Sequence, residues 1–390
     1  MKILLTTDLY TTETNGVVTS VKNLTGSLIA RGHEVKILTL AEGIHNYQMD
    51  NVYYIRSLPL GKVYPDVRMP TSYRHRLIHQ LVEWRPDVIH SQCEFFSFQF
   101  AHYIARETGA PIVHTYHTLY EQYVAYVLPM KGLGEKAVGT LSRLRLKEVK
   151  HIIAPTKKVE DTLREYGIQT PISVIPSGIR LEQHLDHMTD EDRAQRRQAL
   201  GIRPDRRVLV NVGRLGYEKN FDEILRYFAQ TVSKEENYHI LVVGDGPARE
   251  DLQKQAQELG IGDKVAFTGM VPPNQVHQYY QLGDVFVSAS TSETQGLTYV
   301  EAAANGLPLL CRRDPCLKDV VIPGENGYMF TNAEEFRQGL DDIFADEGWL
   351  GRASHHSRTV AARFGKEAFG AAVEKVYKTV CQTSMQEEWA

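Results

Sequence analysis

The sequence predicts an α/β protein with two doubly wound parallel sheets, and two observations indicate this. Short apolar, β-rich runs alternate with amphipathic stretches, first from Lys2 to Ile175 and again from Val208 to Cys311. A polar and charged segment at about 179–206 separates the two series and predicts a linker. The chain has 390 residues, 42% of them hydrophobic, which is enough for two cores in domains of roughly 180 residues each.

The first series predicts a Rossmann-like domain over residues 1–180. Val17–Arg31 is predicted as a helix that ends at Gly32, a residue type common at helix C-caps. The predicted strands are Lys2–Thr7, Val35–Leu40, Val52–Ile55, Val88–His90, Ile112–Thr115, His151–Ala154 and Ser173–Ile175.

The second series predicts another Rossmann-like domain over residues 181–365. Its predicted strands are Val208–Val212, Ile240–Val243, Val265–Thr268, Val285–Ser288 and Leu307–Cys311. A last helix, about Lys366–Val380, carries Phe369, Val373 and Tyr377 on one face. We expect residues 366–390 to return to the first domain.

Composition narrows the possible classes of protein. No stretch approaches the roughly 18 to 20 consecutive apolar residues of a transmembrane helix, and the first apolar run is too short for a signal peptide. The four cysteines are scattered and predict free thiols in a reducing cytoplasm.

The two halves of the chain differ in charge. Residues 1–180 hold 21 Lys and Arg against 16 Asp and Glu, a charge of +5, and the remainder holds 23 against 32, a charge of −9. The basic half suggests an anionic surface partner, although unbiased solvated charge explains it equally well.

Ligands of open parallel sheets bind beyond the carboxyl ends of the strands, and two such loops suggest phosphate binding. Gly16 follows the first strand and stands just before a helix, where an ordinary turn is an equal alternative. No G-x-G-x-x-G accompanies it, so the dinucleotide fingerprint is absent. Gly213, Arg214 and Lys219 follow Val208–Val212, and the two cations together could hold a diphosphate.

Two further loops of the second domain are weaker signals. Gly244 begins a tight turn into a helix that has Pro247 near its start. Met270 and Val271 follow the next strand, where a nucleotide base could stack and bond to the backbone.

The strongest segment is 290–304. Gly296 precedes a predicted helix that starts near Leu297, and the first amide groups of a helix form an anion site. Glu293 lies before the helix and Glu301 about one turn into it. A diphosphate flanked by two polyhydroxyl rings fits this layout, because carboxylates accept hydrogen bonds from sugar hydroxyls.

Two other features call for a choice between a structural and a functional interpretation. His117 closely follows the predicted strand Ile112–Thr115, although most single histidines are structural or lie on the surface. Asp190-Glu191-Asp192 spells D-x-D, a pattern associated with metal-bound nucleotide sugars, but here it resembles the first turn of a helix. We assign it no metal.

Together these segments resemble the signature of retaining glycosyltransferases of the GT-B fold, in which two Rossmann-like domains face each other across a cleft. The matching segments are 290–308, 213–220, 244–247, 15–18 and His117. The resemblance implies that Glu301 holds the ribose, that Glu293 contacts the transferred sugar and that His117 lies beside that sugar. The catalytic residues that it implies are Glu293, His117, Lys219 and Arg214. The donor-binding residues that it implies are Gly16, Gly213, Arg214, Lys219, Gly244, Met270, Val271, Glu293, Gly296, Leu297, Thr298 and Glu301.

Within that family, the segments 113–124 and 291–299 are similar to bacterial 1,2-diacylglycerol 3-glucosyltransferases. The resemblance implies transfer of glucose from UDP-glucose to diacylglycerol with retention, giving an α-glucosyl-diacylglycerol membrane glycolipid. We expect a lipid acceptor, no nucleic-acid partner, no metal site and no obligatory cofactor. A dependence on Mg²⁺, the oligomeric state, and the donor's base and sugar stay open.

A basic, amphipathic segment supports a lipid acceptor. Its basic residues, predicted to contact the membrane, are Lys131, Lys136, Arg143, Arg145, Lys147 and Lys150. Apolar residues are interleaved at helical spacing, so the segment could lie on an anionic lipid surface, on the inner face of the cell membrane. A second basic stretch holds Arg68, Arg74 and Arg76. The alternative is an amphipathic helix packed on its own core.

Other functions compete with this one. A phosphatidylinositol mannosyltransferase-like enzyme or a transferase with a soluble acceptor would share the framework. An epimerase is disfavoured by the paired glutamates, and a pyridoxal-phosphate phosphorylase by the absence of a defensible lysine site. A catalytically silent nucleotide-sugar-binding subunit would be expected to lack Glu293, Lys219 or His117, and all three are present.

Overall fold

The computed structural model describes residues 1–11, 15–60, 68–119, 131–233 and 236–388. The chain divides into two compact units: unit 1 is residues 1–178 with 366–390, and unit 2 is residues 179–365. Each unit contains a largely or wholly parallel sheet with helices, which confirms the predicted fold class of two Rossmann-like domains.

The described residues of unit 1 form a nine-stranded sheet. Its strands are β1 (Lys2–Thr6), β2 (Glu34–Ala41), β3 (Tyr47–Met49), β4 (Val52–Pro59), β5 (Arg68–Pro70), β6 (Val88–Ser91), β7 (Ile112–Thr115), β8 (His151–Ala154) and β9 (Ile172–Val174). Its first helices are α1 (Gly16–Ala30), α2 (Arg76–Trp84), α3 (Phe96–Thr108), α4 (Lys131–Leu146) and α5 (Lys157–Glu165). The strand order is β3-β4-β2-β1-β6-β7-β8-β9, with β5 paired to β4. Only the pairs of β4 with β3 and β5 are antiparallel in the described part of this sheet.

The sheet of unit 1 is buried on both faces. Ile3 and Leu5 of β1 belong to one apolar cluster, together with Leu24 of α1. Leu4 belongs to a second cluster, together with Phe98 of α3. Successive side chains of a strand point to opposite faces, so a wholly apolar strand requires cover on both sides.

The described residues of unit 2 form a six-stranded sheet in which every pairing is parallel. Its strands are β10 (Arg207–Val212), β11 (Tyr238–Val243), β12 (Val265–Phe267), β13 (Val285–Ser288), β14 (Leu309–Arg312) and β15 (Gly327–Phe330). Its helices are α6 (Asp190–Ala199), α7 (Phe221–Thr231), α8 (Arg249–Glu258), α9 (Val276–Tyr280), α10 (Leu297–Ala304), α11 (Ala333–Phe344) and α12 (Glu347–Ala362). The strand order β12-β11-β10-β13-β14-β15 places the loops after β10, β11 and β13 side by side.

The last helix, α13 (Lys366–Glu388), belongs to unit 1. Phe369, Val373 and Tyr377 are buried in the same cluster as Ile3 and Leu5. Gly370 lies against Ser27 of α1 so closely that a Cβ at this position would overlap the serine side chain. The helix therefore supplies cover for one face of the first sheet.

The predicted linker is only partly correct. Residues 179–206 lie within unit 2 and include helix α6. Arg197 of this helix is buried and donates to the Asp284 carboxylate at 2.9 Å, so the segment predicted as a linker packs within unit 2. Short elements such as β3, β5 and β15 were not predicted.

No helix in the described ranges is both long and apolar enough to cross a bilayer.

Candidate active site

The structure brings two of the predicted catalytic residues of unit 2 into direct contact. Lys219 Nζ lies 2.6 Å from Glu293 Oε1, and the Ser290 hydroxyl donates to the same oxygen at 2.8 Å. Lys219 ends a 3₁₀ turn after β10, whereas Glu293 lies in the loop after β13. Because β10 and β13 are neighbours in the sheet, the ion pair joins two loops that are 74 positions apart in sequence.

Arg214 lies in the same loop as Lys219. Its Nη2 donates to Glu218 Oε1 at 2.6 Å. The Leu215 amide donates to the Asp245 carbonyl at 2.9 Å, which ties this loop to the one after β11. The loop after β10 therefore presents two cations, each in contact with a carboxylate.

The glycines after β10, β11 and β12 allow three loops to approach closely. The Gly244 amide donates to the Gly269 carbonyl at 3.1 Å, and a Cβ at Gly244 would overlap the backbone of Gly213. The predicted base segment follows Gly269. Met270 is 69% exposed, whereas the Val271 side chain is buried in the core, so Val271 could meet a ligand only through its backbone.

Helix α10 begins where the sequence placed it. Gly296 has φ +74°, a left-handed conformation that favours glycine, and a Cβ there would also overlap the Tyr299 ring. The amides of Leu297 and Thr298 lie in the first turn, where a helix offers no internal acceptor. This turn, next to Glu293, is suited to hold an anion.

Glu301 lies in the second turn of α10 and accepts a hydrogen bond from the Tyr280 hydroxyl at 2.8 Å. Burial raises the pKa of the Glu301 carboxyl to about 7, although the bond from Tyr280 opposes this shift. The group therefore titrates in the physiological range. A carboxyl with these properties is a functional-site candidate.

Unit 1 holds the remaining predicted donor-site residues, Gly16 and His117. Asn15 Oδ1 accepts from the Val17 amide at 2.8 Å and caps α1, which begins at Gly16. His117 follows β7, and its Nε2 lies 2.8 Å from Gln92 Oε1. Burial lowers the pKa of His117 to about 3, and the imidazole is therefore neutral at physiological pH. A neutral ring donates Nε2–H to the Gln92 oxygen.

The predicted membrane-contacting residues differ in the exposure and contacts of their side chains. Arg143 and Lys147 are exposed near the end of α4, and the apolar Leu141 and Leu144 beside them are 54% and 69% exposed. The prediction that Arg145 contacts the membrane is corrected, because its guanidinium donates to the backbone carbonyl of Glu94 instead of extending into solvent. Lys150 is exposed in the loop before β8. The side chains of Lys131 and Lys136 lie outside the described residues.

Several residues of the site were not predicted. Glu218, Ser290, Tyr280 and Gln92 each contact a predicted residue through a side chain. Glu218 was the easiest of these residues to predict from the sequence, because it stands between the two cations of one short loop. The others are ordinary polar residues whose role depends on the neighbouring strand or helix.

Within the described ranges, no group of three His, Cys, Asp or Glu residues is arranged to hold a metal ion. Asp190 and Asp192 lie in the first turn of α6, where the Thr189 hydroxyl accepts from the Asp192 amide at 3.1 Å. The D-x-D sequence thus belongs to a capped helix start.

Two family models match the chain, one in each half. Residues 14–183 match the model described as Glycosyltransferase Family 4. Residues 192–365 match the model described as Glycosyl transferases group 1. Together the two matches span the described candidate residues of both units.

Similar curated proteins include two alpha-monoglucosyldiacylglycerol synthases. The chain is 36% identical over 323 residues to the one from Streptococcus pneumoniae, covering 82% of this chain and 73% of that protein. It is 30% identical over 387 residues to the one from Acholeplasma laidlawii, covering 97% of this chain and 96% of that protein.

Solved structures share the fold. Anabaena HepE in complex with UDP and glucose matches with a TM-score of 0.76 and 17% identity, covering 97% of this chain and 100% of that chain. Sucrose-phosphate synthase from Thermosynechococcus elongatus matches with a TM-score of 0.76 and 22% identity, covering 98% and 99%.

Proposed function

The chain belongs to the glycosyltransferase group 1 family of GT-B enzymes, and from that premise we propose that it transfers glucose from UDP-glucose to diacylglycerol. The transfer retains the α configuration and yields an α-glucosyl-diacylglycerol. The observation that carries the proposal is the 36% identity, over 82% of the chain, to a synthase of that name. The UDP and glucose named for Anabaena HepE are consistent with this donor, although at 17% identity that likeness concerns the fold.

The described side chains of unit 2 support a donor site. Arg214 and Lys219 would bind the diphosphate and stabilise the charge that develops on the leaving UDP. The first turn of α10 would add amide donors to the same anion. Glu293 would accept bonds from the sugar hydroxyls and Glu301 from the ribose. In this proposal the protein mainly positions the reactants and stabilises charge, and the leaving diphosphate helps to deprotonate the acceptor.

Unit 1 contributes the remaining assignments. Gly16 would allow the donor phosphates to approach the start of α1 closely, because it has no side chain. His117 would lie beside the transferred sugar as a neutral imidazole. A neutral ring orients a polar hydroxyl without adding a charge near the reacting centre.

The decisive experiment is donor turnover with and without diacylglycerol in mixed micelles that contain anionic lipid. UDP-glucose, UDP-galactose and GDP-mannose are compared in parallel, each with Mg²⁺ and with EDTA. We expect lipid-dependent release of UDP from UDP-glucose, with an α-glucosyl lipid as product. Turnover that does not depend on the lipid and requires a soluble acceptor would contradict the assignment of a lipid acceptor. Turnover of GDP-mannose alone would contradict the assignment of UDP-glucose as the donor.

We also propose that the end of α4 lies on the inner face of the cell membrane. Two exposed leucines, Leu141 and Leu144, stand beside the exposed cations Arg143 and Lys147. Apolar side chains that enter the lipid boundary and cations that meet anionic headgroups are the two contributions an interfacial helix needs. Each cation near an anionic surface contributes about 1 kcal/mol.

Vesicle sedimentation tests this surface. The wild type is compared with Leu141→Ser/Leu144→Ser and with Arg143→Glu/Lys147→Glu on vesicles with and without phosphatidylglycerol. We expect both double variants to bind more weakly, and only the charge-reversed one to lose its preference for anionic vesicles. The matched control is Lys254→Glu/Arg226→Glu, which reverses two exposed cations of unit 2. Equal losses in the control would contradict the assignment of the surface.

A further inference from the structure

One carboxylate of the candidate site has no role in the proposed function. Glu218 is buried, and its side chain is 10% exposed next to an Arg214 side chain that is 46% exposed. The two are joined by the 2.6 Å bond from Arg214 Nη2 to Glu218 Oε1. The buried partner of this pair is thus the acid, and the more exposed partner is the cation expected to meet the donor.

The neighbouring glycine shows how closely this carboxylate is enclosed. A Cβ built on Gly216 would overlap both carboxylate oxygens of Glu218. Gly216 has φ −93° and ψ 153°, a conformation that any residue adopts. Backbone conformation therefore does not require glycine at this position, whereas a side chain there would have to displace the Glu218 carboxylate.

The local backbone explains why Glu218 and Lys219 point to different partners. Residues 217–219 form a 3₁₀ turn, closed by the bond from the Lys219 amide to the Gly216 carbonyl at 3.0 Å. Successive side chains of such a turn diverge by about 120°. Glu218 consequently reaches back to Arg214, while Lys219 reaches across to Glu293.

We propose that Glu218 is a positioning residue, whose enclosed carboxylate holds the Arg214 guanidinium in the orientation that binds the diphosphate of the donor. This inference rests on the proposed function, because the ligand is the donor's diphosphate. A guanidinium carries five donors in one plane, so anchoring one of them orients the others. Long side chains lose rotamer freedom on binding, and an arginine that is already held loses less.

A competing role predicts the opposite sign. If Glu218 merely neutralised Arg214, it would compete with the diphosphate, and its removal would strengthen UDP binding. If it positions Arg214, its removal weakens UDP binding. The sign of the change therefore separates the two roles.

The test is equilibrium binding of UDP and of uridine to the full chain, by calorimetry, without lipid. We expect Glu218→Ala to weaken UDP binding by about 5- to 30-fold and to leave uridine binding unchanged, because uridine has no phosphate. Glu218→Gln keeps an acceptor oxygen, and we expect it to stay within about threefold of the wild type. The matched control is Asp222→Ala, which removes an exposed carboxylate paired with Arg226 four residues along the chain. We expect no change in that variant.

A double-mutant cycle and a glycine variant complete the test. Glu218→Ala in an Arg214→Ala background is expected to have no further effect on UDP binding, because the residue it positions is gone. Gly216→Ala, which would displace the carboxylate, is expected to resemble Glu218→Ala. Additive losses, or UDP binding as tight as that of the wild type in both Glu218→Ala and Gly216→Ala, would overturn the proposal. Failure of the wild type to bind UDP would instead overturn the proposed donor.

Discussion

Lys219 and Glu293 form an ion pair that is partly shielded from solvent, with side chains 28% and 18% exposed. In this setting each charge keeps the other, and nearby loop groups, in place before a ligand arrives. A sugar nucleotide brings anionic oxygens for the lysine and hydroxyl donors for the glutamate, so one ligand can satisfy both residues. Removal of either partner breaks this ion pair and, in the proposed function, would also remove a ligand contact.

At this scale we expect Lys219→Ala and Glu293→Ala each to reduce transfer by at least about 100-fold, because both act on charge or hydroxyls near the reacting bond. The measurement is UDP release in the micelle assay, with thermal melting to show that the fold is kept. Lys254→Ala, which removes an exposed lysine paired with Glu258 across a helix surface, is the matched control. Near-normal turnover in either site variant would remove its assigned role.

We expect Glu301 to give ligand binding a dependence on pH. Its pKa of about 7 lies above the ordinary value of 4.5, so the protonated form persists to neutral pH. In the proposed function the Glu301 carboxylate would accept bonds from the ribose, and we therefore expect UDP affinity to rise with pH from about 6 to 8.

The comparison is between the wild type and Glu301→Gln, because ionisation of the UDP phosphate is common to both. We expect the variant to bind more weakly and to lose the part of the pH dependence that belongs to the carboxyl. Identical pH profiles for the two proteins would contradict the role of Glu301.

At the scale of single elements, α13 depends on an ionic contact as well as on apolar packing. Lys378 of α13 and Arg31, the C-cap residue of α1, both donate to the Glu374 carboxylate, and these bonds lower the pKa of Glu374 to about 2. An acid whose pKa is lower in the folded state stabilises the fold above its unfolded pKa. That contribution is lost as the pH falls from about 4.5 towards 2.

We expect Glu374→Ala to lower the free energy of unfolding by about 1 to 3 kcal/mol at pH 7, between the values for exposed and buried pairs. The difference from the wild type should shrink below about pH 4.5, as followed by denaturant unfolding across a pH series. Glu367→Ala, an exposed acid of the same helix, is the control and should change little. A difference that is constant with pH would show that lost packing, and not charge, causes the effect.

At the scale of the whole molecule, each unit has its own core, and the side chains proposed to bind the diphosphate lie in unit 2. We expect hydrogen exchange on the full chain to show that UDP protects amides at 213–220, 269–271 and 290–298 most strongly. Uridine should protect the second of these segments and leave the first largely unchanged. Protection confined to unit 1 would contradict the assignment of the donor site.

The sequence alone was sufficient for the features that depend on neighbouring residues. Runs of three or four consecutive apolar residues located β1, β10 and β11, because a strand buried on both faces is apolar at successive positions. Gly296 located the start of α10, because a left-handed residue before a helix favours glycine. For the segment around α6 the sequence predicted the helix start at Asp190 but not its packing, since Arg197 finds its partner Asp284 elsewhere in unit 2.

For the candidate site, too, the sequence predicted some features and the tertiary structure decided others. Its residues could be identified from the loops that follow the strands, since in a parallel sheet those loops share one edge. Only the tertiary structure paired Lys219 with Glu293, turned Arg145 towards the Glu94 carbonyl and raised the pKa of Glu301 through burial. Each of these depends on which strands or helices are neighbours in space. Strand order is a property of long-range packing, and short-range sequence patterns do not encode it.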